Sequence, residues 1–240
     1  MSTDFLGTKN FKARLTTGFL LVLIVIAALF TPNAVLFRIL YLAGGVMAIL
    51  ELYLAQKTHN YREIPLRDDR IPILEYIVLF VSVYAFTTMF TSTEMALVLL
   101  GATSTDIFAY FVGSAFHDRF FKKRPFPKTS PKKSWEGIIG GYIGSVLTLV
   151  VSVVVFKMTF SPLIVIFIAL CPIVSICGDY IASYCKRYFN IKDSNECILY
   201  TKCILLEKLE KLMTGHGGYL DRIDSISMVA CLMFWVKLAS

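Results

Sequence analysis

Residues 137–156, GIIGGYIGSVLTLVVSVVVF, decide the fold. These 20 residues carry no charge, and a helix of that length spans roughly 30 Å, the thickness of a bilayer core. Similar apolar runs recur along the whole chain of 240 residues, 56% of which are hydrophobic. Soluble domains contain only about 45–50% apolar residues. We therefore predict an all-α fold: a polytopic integral membrane helical bundle.

The apolar runs predict about seven transmembrane helices. They lie near 15–30, 35–55, 72–91, 94–113, 136–158, 161–182 and 223–240. The first run follows basic residues, as in a signal peptide, but further spans follow it without a small-residue cleavage site, so we expect it to be retained. We assign 1–100 to N-terminal membrane helices and 101–240, which holds the motifs below, to a catalytic membrane region.

The basic residues predict the orientation. With seven spans, the N-terminal segment and the segments 56–71, 114–135 and 183–222 fall on one side and hold 21 of the 24 Lys and Arg residues. The exceptions are Arg38, Lys157 and Lys237. Cytoplasmic loops attract Lys and Arg, so we expect this side to face the cytoplasm from a bacterial inner (plasma) membrane. Topology and anionic lipid headgroups explain the net charge of +7, so we predict no nucleic-acid binding.

The cysteines predict no disulfide and no zinc site. All six lie in apolar spans or in the segment assigned to the cytoplasmic side, without the spacing of a secreted framework, so we expect them to be reduced.

Four acidic residues lie in or beside the predicted spans: Glu51, Glu75, Asp106 and Asp179. A charge in hydrocarbon costs at least about 2.5 kcal/mol, so each of them suggests a function. Glu51 and Glu75 lie near cytoplasmic span ends, and we expect their side chains to reach the interface. Asp106 and Asp179 instead begin segments that are rich in reactive groups.

The first of these segments places Asp106, Tyr110 and Gly113 on one helix face, at i, i+4 and i+7. A basic loop follows.

After that loop, Ser130 and Pro131 predict an N-cap with proline at the first helical position. Ser134, Lys132 and Lys133 would then lie near a helix start, and these groups suit phosphate oxygens. A basic cytoplasmic loop with a capped helix has the same residues, so both interpretations stay open.

The second segment runs from Asp179 to the last span. It contains Ser183, Lys186, Arg187, Lys192, Asp193, the glycine-rich stretch Gly215-His216-Gly217-Gly218, and then Asp221, Arg222 and Asp224. Aspartates at the membrane surface suit Mg²⁺, which usually takes one or two carboxylates plus substrate phosphates. Glycines allow the backbone to approach a ligand closely. These groups together suggest transfer of a nucleotidyl or phosphoryl group to a lipid.

These motifs resemble the signature of the phosphatidate cytidylyltransferases, also called CDP-diacylglycerol synthases. The matching residues are Ser183-Tyr-Cys-Lys186-Arg187, Lys192-Asp193 and His216-Gly217-Gly218-Tyr-Leu-Asp221-Arg222-Ile-Asp224. The upstream landmarks Asp106–Gly113 and Ser130–Gly137 extend the resemblance to roughly residues 100–235. The family has a short loop before His-Gly-Gly, whereas 22 residues separate Asp193 from His216 here. We interpret 196–213 as an insertion that forms an amphipathic interfacial helix.

The resemblance implies that CTP and phosphatidic acid give CDP-diacylglycerol and pyrophosphate in phospholipid biosynthesis at the lipid bilayer. The implied catalytic residues are Asp179, Lys192, Asp193, Asp221, Arg222 and Asp224. The implied substrate-binding residues are Asp106, Tyr110, Ser130, Lys132, Ser134, Ser183, Lys186, Arg187, His216, Gly217 and Gly218. The expected ligands of Mg²⁺ are Asp179, Asp193, Asp221 and Asp224, with a second cation and a homodimer left open.

Other functions also fit the motifs. One is a related membrane kinase that uses CTP or ATP on a polyprenol or a similar lipid, and another is a family member inactivated by the insertion. An ion-coupled transporter would have internal repeats and charges at the bilayer midplane, whereas this chain shows no repeat and clusters its charges at one surface.

Overall fold

The structure is a computed structural model that describes residues 31–58, 70–116, 119–121, 123–127, 129–131, 133–189, 191 and 218–240. Every regular element within these ranges is helical. The helices are α1 (Val35–Thr58), α2 (Arg70–Tyr84), α3 (Ser92–Phe116), α4 (Trp135–Val155), α5 (Pro162–Tyr188) and α6 (Leu220–Leu238). A 3₁₀ turn, Pro32–Ala34, precedes α1, and a π-helical turn, Ala85–Met89, extends α2.

Five of the described helices are long and apolar enough to cross a membrane. They are Pro32–Lys57, Arg70–Met89, Ser92–Phe116, Trp135–Val155 and Pro162–Tyr188. This confirms a helical membrane protein. Helix α6 packs against α5, but it carries four charged residues and is not among the five. The predicted span 15–30 lies outside the described residues, so the count of seven stays a prediction.

The helices alternate in direction, which gives the bundle two distinct ends. We call the end at which α1, α3 and α5 finish and α2, α4 and α6 begin the basic end. At the opposite end, Arg38 donates hydrogen bonds to the backbone oxygens of Thr87 and Phe90 at 2.5 and 2.7 Å. Lys237 of α6 binds Glu94 of α3 at 2.6 Å. Arg38 and Lys237, two of the three basic residues predicted to lie away from the cytoplasmic side, therefore bind partners within the protein.

Glycines set the closest helix contacts. A Cβ atom added at Gly141 of α4 would lie 2.8 Å from the backbone oxygen of Thr105 in α3, and one at Gly137 would lie 2.8 Å from that of Ala109. These two glycines form a GxxxG pair, which typically lets membrane helices approach closely. Gly178 does the same between α5 and α6, where an added Cβ would lie 2.8 Å from the backbone oxygen of Asp224.

Glu51 and Glu75 are both buried inside the bundle, and the expectation that they reach the membrane interface stays a prediction. Their exposed fractions are 1% and 2%. Both lie on the inward faces of their helices, and Glu51 finds donors within the bundle. The cysteines within the described ranges are free: Cys171, Cys177, Cys185 and Cys231.

Candidate active site

A cavity of about 460 Å³ lies between α3, α4 and α5 near the basic end. Its lining includes Asp106, Tyr110 and Gly113 of α3, Lys133, Ser134 and Gly137 at the start of α4, and Asp179 of α5. Ligand pockets typically measure about 300–1,000 Å³. The structure therefore brings three separate sequence motifs to one ligand-sized space, and the predicted common face of Asp106, Tyr110 and Gly113 is confirmed.

Opposite charges meet inside this cavity. Lys133 forms an ion pair with Asp179, and each side chain is 27% exposed. The hydroxyl of Ser183 donates a hydrogen bond to the other oxygen of Asp179 at 3.3 Å. Asp106 interacts electrostatically with both Asp179 and Lys133. The cavity thus offers an ammonium group for phosphate and carboxylates for a cation.

Helix α4 begins later than its sequence predicts. Ser134, rather than Ser130, is the N-cap, and its hydroxyl accepts a hydrogen bond from the backbone N–H of Gly137 at 3.1 Å. The predicted cap at Ser130 was therefore wrong. A start at Ser130 would put Lys132 and Lys133 in the first turn, where the helix dipole disfavours positive charge. The observed start puts Glu136 there instead.

Glu136 ties the basic loop to α4, a role that our sequence analysis missed. One of its carboxylate oxygens accepts hydrogen bonds from the backbone N–H groups of Phe120 and Phe121 at 3.0 and 2.9 Å. The side chain is 5% exposed. An acid in the first turn of a helix that follows a basic loop was the available signal. Glu136 thereby fixes the loop to the start of α4, where Ser134 and Gly137 line the cavity.

A second polar group joins α5 to the start of α6. Lys186 forms an ion pair with one oxygen of Asp221, whose other oxygen accepts a hydrogen bond from the backbone N–H of Gly218 at 3.0 Å. Asp224 is buried and interacts electrostatically with Asp179 and Lys186. The contact of Gly178 with the backbone of Asp224 brings these two helices together. Asp224 of the last helix therefore lies within electrostatic range of Asp179, while the grouping of all the predicted aspartates stays a prediction.

Other predicted site residues lie farther from the cavity or outside the described ranges. Ser130 does not line the cavity, and its N–H group donates to the backbone oxygen of Phe126 at 3.0 Å. Arg187 donates to the backbone oxygen of Ile191 at 3.1 Å, and Arg222 is exposed. Outside the described residues lie Lys132, Lys192, Asp193, His216, Gly217 and the insertion 196–213.

The carboxylates among the described residues suit a cation that is also bound by the phosphates of a substrate. Within the described ranges, no three acidic, histidine or cysteine side chains are close enough to hold a metal ion by themselves. Mg²⁺ usually takes one or two protein carboxylates and completes its shell with phosphates and water. Asp106, Asp179 and Asp224 come from three different helices and interact electrostatically, so the residue type that such a shared cation requires is present in this region.

The fold and site define a membrane-embedded helical protein with lysine, serine and aspartate side chains gathered at one end. The cytidylyltransferase family matches residues 70–199, more than half of the chain. The chain therefore belongs to the cytidylyltransferase family.

Several similar proteins carry the name phosphatidate cytidylyltransferase. The Rickettsia conorii protein is 33% identical over 240 residues, covering 96% of this chain and 92% of that protein. The Rickettsia prowazekii protein is 31% identical over 240 residues, and the match covers 96% of this chain and 93% of that protein. The Thermotoga maritima protein is 35% identical over 177 residues, covering 68% of this chain. The chain spans little more than half (56%) of that protein's length.

Proposed function

We propose that this protein transfers the cytidylyl group of CTP to phosphatidic acid, giving CDP-diacylglycerol and pyrophosphate. The observation that carries the proposal is the cavity in which the motifs of Asp106, Ser134 and Asp179 meet. Membership of the cytidylyltransferase family and the names of the similar proteins favour this reaction over lipid phosphorylation or an inactive chain.

The reaction joins two phosphates at a membrane surface. A phosphate oxygen of phosphatidic acid bonds to the α-phosphorus of CTP, and the bond from that phosphorus to the bridging oxygen of the β-phosphate breaks. Pyrophosphate leaves with the bonding electrons. Since the attacking phosphate is already an anion near neutral pH, no strong general base is required. The protein mainly has to position phosphates and offset their negative charge.

The groups at the start of α4 suit the phosphates. Lys133, Ser134 and Gly137, at the start of α4, line the cavity together, which brings an ammonium group and a hydroxyl group to it. Helix N-termini attract anions through their free N–H groups and their dipole. We assign Lys133 and Ser134 to the phosphates of CTP or of the lipid, with Lys186, Arg187 and Arg222 assisting at the α5–α6 junction.

The aspartates suit a divalent cation. In our proposal Asp179 and Asp224, which interact electrostatically, are cation ligands. Asp221 and Asp193 are the further members of the proposed ligand set. The chemistry that Mg²⁺ would supply there is to offset the negative charge of the triphosphate and of pyrophosphate. Asp179 is oriented by Lys133 and Ser183, and Asp221 by Lys186 and Gly218.

The membrane setting explains how the lipid reaches the site. The cavity lies between membrane-crossing helices, and Tyr110 on its wall is 62% exposed. Aromatic side chains are favoured at membrane interfaces. In our proposal the phosphate of the lipid enters the cavity while its acyl chains stay in the bilayer, and the basic end faces the cytoplasm from a bacterial inner membrane.

The position of the radiolabel in CTP tests the reaction. Purified protein receives phosphatidic acid, Mg²⁺ and CTP labelled at either the α- or the γ-phosphate. We expect α-label in the lipid fraction and γ-label in pyrophosphate. γ-Label in the lipid, or product formed only with a polyprenol or diacylglycerol acceptor, would identify a kinase. No transfer of either label would identify an inactive chain.

Substitutions then test the cavity. Lys133→Met and Asp179→Asn should each lower the rate about 100-fold, the usual scale for losing a preorganised electrostatic contact to the transition state. Glu94→Gln is the control, because it also neutralises a paired acid but lies at the opposite end of the bundle. Near-normal rates for both cavity variants would refute the assignment of the site.

A further inference from the structure

Glu51 is a buried acid that connects distant parts of the chain. Its carboxylate oxygens accept hydrogen bonds from the backbone N–H groups of Tyr219 and Leu220, each at 2.9 Å. These N–H groups lie 168 and 169 residues away along the chain, at the start of α6. The Glu51 side chain is 1% exposed. Glu51 also lies outside the region 70–199 that matches the cytidylyltransferase family.

The bonds satisfy a specific need of α6. The first N–H groups of a helix have no partner within the helix, and the Tyr219 side chain forms no cap. A carboxylate is the best acceptor for such groups, because its charge also opposes the positive end of the helix dipole. Glu51 thus supplies from α1 the cap that α6 lacks locally.

The capped turn is the one that carries the signature residues of α6. Asp221 and Arg222 directly follow the two bonded residues, and Asp224 lies less than one turn farther on. Lys186 and Gly218 hold Asp221 from the other side. The direction and position of this turn are therefore fixed jointly by α1 and α5.

We propose that Glu51 is a positioning residue for the active site, which aligns the first turn of α6 by accepting its N–H groups. It touches no substrate and acts through Asp221, Arg222 and Asp224. The activity part of this inference rests on the proposed cytidylyltransferase function, whereas the capping part does not.

Glu51→Gln tests the cap directly. The carboxamide accepts at its oxygen only, so its NH₂ group faces a second N–H donor. Hydrogen exchange measured by mass spectrometry should become about tenfold faster for amides 219–224, consistent with loss of a charge-assisted bond. Exchange at 229–238 should stay unchanged. In CTP titrations, we expect kcat to fall about tenfold or more and KM to rise, because misplacement by about 1 Å costs up to 100-fold.

A matched pair of variants at Tyr219 tests the same hydrogen bonds by changing the donor instead of Glu51. Tyr219→Pro removes one N–H donor but keeps a backbone φ near −67°, which proline adopts. Tyr219→Ala keeps the donor and removes the same aromatic ring. We expect Tyr219→Pro to reproduce the kinetic and exchange changes of Glu51→Gln, and Tyr219→Ala to resemble the original protein. If Glu51→Gln fails to accumulate, this pair decides the question.

A control distinguishes positioning from general anchoring. Glu94→Gln weakens the attachment of α6 at its other end, through Lys237. The proposal is overturned if Glu94→Gln raises the KM for CTP as much as Glu51→Gln does, or if Glu51→Gln accelerates exchange uniformly along α6. A simple loss of folded protein would lower kcat and leave KM unchanged. If the original protein transfers no cytidylyl group, the proposed function fails, while the exchange data still decide the capping.

Discussion

Replacing Gly141 by alanine should separate the helices that carry the two sides of the cavity. The added Cβ would lie 2.8 Å from the backbone oxygen of Thr105, 3.0 Å from the Cβ of Ala109 and 3.4 Å from its nitrogen. Two of these three neighbours are backbone atoms, which cannot rotate away. Thr105 immediately precedes Asp106, so α3 can relieve the contact only by moving a residue of the proposed site.

The size of the effect follows from these distances. Ordinary van der Waals contact begins at 3.4 Å, so the oxygen of Thr105 and the new methyl group must move apart by about 0.6 Å. Overpacking of this kind costs about 1–3 kcal/mol of folding free energy. A misplacement of about 1 Å at a catalytic site can cost 100-fold in rate, so we expect roughly a tenfold loss for Gly141→Ala.

The assay combines the initial rate of α-labelled CTP incorporation into lipid with the thermal midpoint of the purified protein. The control is Gly44→Ala in α1, where an added Cβ would meet nothing within 4 Å. That variant should keep its rate and match or exceed the original midpoint, because glycine inside a helix costs about 0.5–1 kcal/mol relative to alanine. If Gly141→Ala matches Gly44→Ala in both measurements, the close packing of α3 and α4 does not position the site.

Three further predictions concern the basic loop before α4, the end of the bundle opposite the basic end, and the proposed insertion 196–213. Glu136→Gln should raise the KM for CTP and speed proteolysis near Phe120 and Phe121, because the N–H groups of both residues donate to Glu136. Unchanged proteolysis would show that these bonds do not hold the loop. Arg38→Met should lower stability by about 1.5–3 kcal/mol without changing KM; an altered KM would show that the two ends are coupled. Deleting 196–213 should leave the transfer rate intact, and its loss would make that segment part of the site.

The sequence predicted features that depend on local periodicity and charge. Uncharged runs predicted the helices, and the asymmetry of Lys and Arg predicted which ends lie together. The spacing of Asp106, Tyr110 and Gly113 predicted their common face. The resemblance to the phosphatidate cytidylyltransferases predicted the reaction and placed Asp179 and Asp224 in one set of expected Mg²⁺ ligands.

Features that depend on long-range packing were missed. Ser130 and Ser134 both suit an N-cap, and the observed start at Ser134 accompanies hydrogen bonds from Phe120 and Phe121 to Glu136 that the local sequence does not show. The burial of Glu51 and Glu75 was also missed, because the local sequence does not show whether a helix face points into the bundle or towards the lipid. The GxxxG pair of Gly137 and Gly141 was visible, but only the structure shows which helix it contacts.

The link between Glu51 and α6 has a consequence for biosynthesis, since the ribosome makes α1 long before α6. Until the last helix docks, the carboxylate of Glu51 sits in the bundle without the amides of residues 219 and 220. Leaving those two hydrogen bonds unmade is a penalty of about 1.5–3 kcal/mol each, the usual contribution of a bond to a charged group. Partly synthesised chains are therefore less stable than finished ones, and docking of α6 removes the penalty and orders the site in one late event.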